Sequence, residues 1–253
     1  MKDFIIRRFS HMKWLHSLLG RWGYQLVMIG TEFQDIPDYY RDIYKKVRPF
    51  TMTSETSVYT LVNCLEYLSK YQIPGSVVEC GVWRGGMIMA AMLAAKAAKD
   101  ERREFFLYDT FEGMVKPGEH DGEKANTLYG NYERTDGSSN WCRSTLDEVK
   151  SNVASCAYPS DKAHFVKGKV EETIPGTLPR QIALLRLDTD WYESTLHEFE
   201  HLFPLVAPGG VVIIDDYGAW AGSRKATDEY LQKMGLRCFL FRVDTSSRLF
   251  IKS

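Results

Sequence analysis

The chain has 253 residues, with 32 Lys and Arg against 33 Asp and Glu, a formal net charge of −1 and 44% hydrophobic residues. That near-neutral balance removes the electrostatic case for a nucleic-acid partner, and the length suits one sizeable α/β core with an extension rather than two domains. No run reaches the roughly 18 apolar residues of a membrane span, the first residues lack the apolar block and cleavage site of a leader, and the five cysteines are odd in number without CxxC spacing; the thiols are read as reduced and the expected compartment is cytoplasmic.

In chain order, residues 1–48 are expected to form a helical extension. After Asp3 there is no acid until Glu32, while Lys2, Arg7, Arg8, Lys13 and Arg21 accompany Ile5, Phe9, Met12, Leu15, Leu19, Trp22 and Leu26 at near-helical spacing. Such a basic amphipathic stripe packs on the rest of the chain or on a second subunit more often than it lies on an anionic membrane surface. Residues 49–253 read as one domain. Thr53 or Ser54 caps a helix carrying Val58, Leu61, Leu65 and Leu68, which Pro74-Gly75 ends. A strand at Val77-Val78 runs into a glycine-rich turn, and a helix follows from Met87 to Lys99. Further strands are predicted at Phe105 to Tyr108, ending in Asp109, at His164 to Lys167, and at the apolar runs Ile182 to Leu185 and Val211 to Ile214. Between the second and third strands, Val115 to Trp141 is long, polar and glycine-rich and reads as an acceptor-binding lid loop with His120, Asp121, Tyr129, Tyr132 and Trp141. Alternating strands and helices predict a doubly wound, mostly parallel sheet. Leu236 to Val243, the turn Asp244 to Ser247 and Arg248 to Lys252 predict a closing antiparallel hairpin.

Two acidic clusters, Asp188-Thr189-Asp190 and Asp215-Asp216, follow the last two apolar runs. The ligand crevice of an open parallel sheet lies at the carboxyl ends of its strands, so adjacent strand ends of this kind suit three oxygen ligands around one hard cation; as single acids they would instead cap helices. Gly81, Gly85 and Gly86 allow a ligand to approach the backbone at a helix N-terminus. Glu79 before them would repel a pyrophosphate and suits the ammonium of an amino-acid moiety, while Asp109 sits where a carboxylate accepts hydrogen bonds from ribose hydroxyls. Together these favour S-adenosylmethionine over NAD. The alternatives are an ordinary satisfied carboxylate for Glu79 and a helix cap for Asp109.

Pro49-Phe50-Thr51-Met52-Thr53, Val78 through Gly86, Tyr108-Asp109-Thr110-Phe111-Glu112-Gly113, Leu187 through Asp190, and Pro208-Gly209-Gly210 through Ile214-Asp215-Asp216-Tyr217 resemble the macrocin, mycinamicin and novobiocin sugar O-methyltransferases over roughly residues 49 to 230. The resemblance implies a Rossmann-like class I methyltransferase with a mostly parallel seven-stranded sheet, dependent on S-adenosylmethionine and Mg²⁺. Its substrate would be a sugar hydroxyl of a small molecule or glycan, and the assembly a homo-oligomer. It implies cofactor contacts at Thr51, Met52, Glu79, Gly81, Val82, Trp83, Arg84, Gly85, Gly86, Asp109, Thr110, Phe111 and Asp188. It further implies magnesium ligands at Asp188, Asp215 and Asp216, with Asp190 as general base. Related catechol methyltransferases carry a Lys where this chain has Trp191; His197 and His201 are the other candidates for the base. The competing readings are a catechol-like phenol as acceptor, a non-catalytic partner protein that retains the cofactor pocket, and a nicotinamide oxidoreductase.

Overall fold

The computed structural model describes residues 36–253 apart from Gly137, so the expected N-terminal helix around residues 5 to 26 lies outside the described residues. The chain divides into compact units of residues 1–41 and 42–253. Helices are α1 (Asp38–Val47), α2 (Glu55–Lys70), α3 (Gly86–Ala97), α4 (Gly122–Gly130), α5 (Leu146–Ala154), α6 (Val170–Thr173), α7 (Tyr192–Leu202) and α8 (Ala221–Lys233). Strands are β1 (Ser76–Cys80), β2 (Phe105–Asp109), β3 (Ala163–Lys167), β4 (Ile182–Leu187), β5 (Val206–Ile214), β6 (Phe241–Arg242) and β7 (Arg248–Ile251).

They form one seven-stranded sheet in the order β3-β2-β1-β4-β5-β7-β6. β3, β2, β1, β4 and β5 run parallel, and β7 is antiparallel to both of its neighbours. β1 and β4 are buried along their whole length, as strands covered by helices on both faces must be, while β3 at the edge is only partly buried. Strand order reverses between β1 and β4, so right-handed crossovers put α3 and α7 on opposite faces and open a crevice at the strand ends between them. On the face covered by α7 and α8, Val78, Tyr108, Leu185, Val212, Phe199, Leu202 and Tyr230 share one core cluster. Ser54 caps α2 by accepting the Ser57 N–H at 3.2 Å.

Two expectations need correction. The first arm of the closing hairpin is paired only at Phe241–Arg242; residues 236–240 have no ladder partner. They keep the strand alternation all the same, with Leu236, Cys238 and Leu240 packed on the core while Phe239 is 82% exposed. The Val115 to Trp141 segment is not a structureless loop, because it contains α4. Buried Asp121 pins it: one carboxylate oxygen accepts the Gly118 N–H at 2.7 Å and the other the Tyr192 N–H at 2.8 Å at the start of α7.

Candidate active site

Strand register builds the centre of the site. Cys80 pairs with Leu187 and Leu187 with Ile214, so the residues that follow, Asp188 and Asp215, leave the sheet side by side. Their N–H groups still donate to Cys80 O and Leu187 O, each at 2.9 Å. Carboxylate oxygens of Asp188, Asp215 and Asp216 lie within 4.8 Å of one another. One step back in the same register, Glu79 faces Arg186.

Arg186 is the residue that sequence reasoning missed. Its guanidinium is 1% exposed and contacts Glu79 Oε1 at 2.5 Å, Asp188 Oδ2 at 2.5 Å and Asp215 Oδ1 at 2.7 Å. The available signal was an arginine inside the apolar run of a central strand, where a charge survives only if it is paired. Its pairing leaves the acids incompletely neutralised. Burial pushes Glu79 up to about 7 against the opposing pull of Arg186, and burial with neighbouring acids holds Asp188 and Asp216 well above the usual carboxylate range. Glu79 Oε2 and Asp216 Oδ2 are buried without a hydrogen-bond partner. These orphaned oxygens, together with the three converging carboxylates, fit a hard divalent cation at Asp188, Asp215 and Asp216 and a cationic ligand group at Glu79.

Asp190 stands next to this cluster with a positive φ of 67°, and Trp191 N–H donates to Thr189 O at 2.8 Å, which makes a tight three-residue turn. Burial is the main cause that lifts Asp190 to about 7, while hydrogen bonding to Asp216 and Trp220 opposes it. Thr189, between the two acids, donates to buried Glu198 at 2.9 Å. Trp191 turns away from the acids, its indole donating to Val115 O at 2.9 Å, and meets Trp141 and Trp220 edge to face. His197 accompanies His201 on α7 and bonds Ile174 O at 2.9 Å; neither histidine lines the cavity.

The cavity holds about 450 Å³ and brings together Thr51, Met52, Glu79, Gly81, Val82, Trp83, Gly86, Asp109, Asp188, Asp190, Asp215 and Asp216. Trp141, Cys142 and Trp220 also line it, and so do Asp244, Thr245 and Ser246 from the hairpin turn. Glycine is required at two of these positions. A Cβ on Gly81 (φ 82°) would sit 1.9 Å from Asp188 O, and one on Gly86 would sit 2.5 Å from Phe50 O. Asp109 ties the turn together, its carboxylate accepting the N–H groups of Val82 (2.8 Å), Trp83 (3.0 Å) and Phe111 (2.7 Å). A carboxylate has lone pairs to spare for a further donor.

Four expected cofactor contacts are not on this cavity wall. Arg84 instead joins Glu148 (2.7 Å) to Pro49 O (2.8 Å), because its long side chain leaves the turn on the far side. Gly85 begins α3 with φ 86°, Phe111 is buried beneath the β2 end, and Thr110 lines a smaller adjoining depression with Gly113 and Lys169.

A doubly wound sheet with an antiparallel β7, whose glycine turn and acids meet at the reversal of strand order, puts a candidate ligand site at the carboxyl ends of the strands. A family model for macrocin O-methyltransferase (TylF) matches residues 41–252. The chain is 32% identical over 196 residues to the 8-demethyl-8-(2,3-dimethoxy-α-L-rhamnosyl)-tetracenomycin-C 4'-O-methyltransferase of Streptomyces olivaceus, covering 77% of this chain and 72% of that one. It is 30% identical over 196 residues to the mycinamicin III 3''-O-methyltransferase of Micromonospora griseorubida, covering 77% and 75%. Among solved structures, the O-methyltransferase NovP matches with a TM-score of 0.71 at 28% identity, covering 81% of this chain and 82% of that one. The chain belongs to the TylF macrocin O-methyltransferase family.

Proposed function

We propose that the protein transfers the methyl group of S-adenosylmethionine to a hydroxyl of a sugar carried by a natural product or glycan, with Mg²⁺ held by Asp188, Asp215 and Asp216. The observation that carries this reading is the convergence of those three carboxylates within 4.8 Å on the wall of the cavity that also contains Glu79 and Gly81. The tetracenomycin relative is named for a rhamnosyl-bearing acceptor, which supports a sugar as the acceptor class.

Bound there, the metal would supply Lewis acidity that lowers the pKa of an acceptor hydroxyl. Asp190, on the cavity wall beside those carboxylates, would take the proton as the oxygen attacks the sulfonium methyl; the C–O bond forms, the C–S bond breaks, and the thioether leaves neutral at sulfur. Glu79 would face the ammonium of the methionine moiety, with its unpartnered Oε2 as acceptor. Trp141 and Trp220 give the acceptor an apolar wall that excludes water and suits the C–H face of a pyranose.

The test is binding of Mn²⁺, a paramagnetic stand-in for Mg²⁺, and of S-adenosylhomocysteine to the wild type and to Asp216→Asn. Asp216 is the clean choice, since it is not among the contacts of Arg186 whereas Asp188 and Asp215 are. The variant is expected to lose Mn²⁺ affinity by at least about tenfold, as removal of one charged ligand implies, and to keep cofactor-product affinity within several-fold. Undiminished Mn²⁺ binding in Asp216→Asn, or turnover of a glycoside in excess EDTA, would remove the metal from the reading.

A further inference from the structure

The turn between β6 and β7 takes no part in the chemistry above, although Asp244, Thr245 and Ser246 stand on the cavity wall. Asp244 Oδ1 accepts the N–H groups of Ser246 (2.9 Å) and Ser247 (2.8 Å), which is enough to close the turn. Its second oxygen reaches elsewhere. Asp244 Oδ2 accepts the hydroxyls of Ser54 at 2.6 Å and Ser57 at 2.7 Å, in the first turn of a helix 187 to 190 residues away in sequence. Ser54 directly follows Thr51, Met52 and Thr53, all of which line the cavity.

The turn's opposite flank is tied to the strand end that carries the acidic cluster. Ser246 Oγ donates to Asp215 O at 2.6 Å, and Gly218 N–H donates to Ser246 O at 2.7 Å. The approach is close enough that a Cβ on Gly218 would lie 2.2 Å from Thr245 O. One carboxylate thus joins a wall of the cavity to the end of β5. Four donors outweigh burial and hold the Asp244 carboxyl below its ordinary value, so it is ionised and its hydrogen bonds are charge-assisted. By contrast, the contact between Arg186 Nη2 and Thr53 Oγ1 is long, at 3.4 Å.

We propose that Asp244 is a positioning residue that fastens Thr51 to Ser54 in place, so that the cofactor meets a preformed wall instead of ordering one as it binds. The proposal rests on the reading of this cavity as the cofactor site. Fixing a binding segment in advance acts chiefly on how long the ligand stays, because the cost of ordering is no longer drawn from the binding free energy.

The experiment is surface plasmon resonance of S-adenosylhomocysteine over the full-length protein, comparing wild type, Asp244→Ala, Ser57→Ala and the double variant, with melting of the ligand-free proteins alongside. Asp244→Ala is expected to speed dissociation about tenfold, the effect of losing one charge-assisted tether. Ser57→Ala should have a smaller effect, and the double variant should dissociate no faster than Asp244→Ala, because both changes cut the same connection. Losing the four hydrogen bonds lowers the melting temperature of ligand-free Asp244→Ala, so dissociation is compared at a temperature where every protein is folded; faster dissociation from folded protein is the readout that a merely structural role would not move. Asp244→Asn keeps the oxygen that closes the turn and carries the test if the alanine variant does not fold; about threefold faster dissociation is expected for loss of the charge alone. Wild-type dissociation rates in these variants, or additive effects in the double variant, would overturn the proposal. A wild type that does not bind S-adenosylhomocysteine would instead overturn the cofactor reading, and the proposal with it.

Discussion

Replacing Glu79 by Gln separates the stability of the ligand-free site from its use. Glu79 lies in the middle of a buried sheet, and burial raises its carboxyl from an ordinary 4.5 to about 7 even though Arg186 pulls the other way. Because the folded-state value is the higher one, the folded protein holds this proton more tightly than the unfolded chain does. The stability it contributes is therefore fully present below pH 4.5 and lost as pH rises through about 7. At about 1.4 kcal/mol for each tenfold change in proton affinity, the gap between 4.5 and about 7 leaves the ionised site about 3 kcal/mol worse off at pH 8. Gln has nearly the same shape and nothing to ionise. In EDTA and without cofactor, Glu79→Gln should therefore be more stable than wild type at pH 8 by about 2 to 3 kcal/mol, about 4 to 12 °C in melting temperature for a chain of this size. The difference should narrow to about 1 kcal/mol or less by pH 5. Cofactor affinity should move the other way, falling by about 10- to 100-fold on loss of a charged acceptor for the ammonium. The assay is urea and thermal unfolding at both pH values, with calorimetric titration of S-adenosylhomocysteine at pH 8. A variant less stable than wild type at pH 8 would show that the Arg186 pair outweighs burial and would refute the reasoning.

Two further changes probe the same centre. Arg186→Met leaves Glu79, Asp188 and Asp215 without the cation they share, and should cost about 3 to 5 kcal/mol at pH 8 by urea unfolding. That deficit should shrink toward pH 5, since removing the cation raises the folded-state values of Glu79 and Asp188 and acid conditions then neutralise them; a deficit that does not depend on pH would count against this account. Gly81→Ala drives a Cβ to 1.9 Å from the Asp188 carbonyl at φ 82°, and should destabilise by more than about 4 kcal/mol or prevent folding. Gly130→Ala, where no atom lies within 4 Å of the added carbon, should stay within about 1 kcal/mol of wild type in the same melting assay.

The strand ends and their acids were legible because a buried parallel strand writes itself as an apolar run, and any acid directly after it has to emerge at the ligand side of the sheet. Register was not legible. Nothing in Val78 to Gly81 states that Cys80 lies opposite Leu187 and Leu187 opposite Ile214, yet those pairings bring Asp188 to Asp215 and Glu79 to Arg186. Arg186 escaped notice because a single arginine in Ile182 to Leu187 resembles a strand residue on a wet face; only a strand covered on both sides removes that option. α4 escaped because a nine-residue helix with glycine at both ends has weak propensity, and Asp121 and its tertiary partners hold it in place. Residues 236–240 keep the alternation of a strand, but a strand also needs a hydrogen-bonded neighbour, and β7 supplies one only for Phe241 and Arg242.

The balance of charge argues against the nicotinamide reading more strongly than Trp83 at the second glycine position of a G-x-G-x-x-G motif does. Glu79, Asp109, Asp188, Asp190, Asp215 and Asp216 all line one cavity, and Arg186 is already committed to three of them. A pyrophosphate entering beside Glu79 would find like charges and, among the described residues that line the cavity, no guanidinium to receive it. The sulfonium and ammonium of S-adenosylmethionine enter the same space with the charge that the buried carboxylates lack, and the unpartnered Glu79 Oε2 gains a donor. The raised proton affinities of Glu79, Asp188, Asp190 and Asp216 have the same origin. An excess of buried acid takes up protons when no other cation is present, and a site with that property selects cationic ligands.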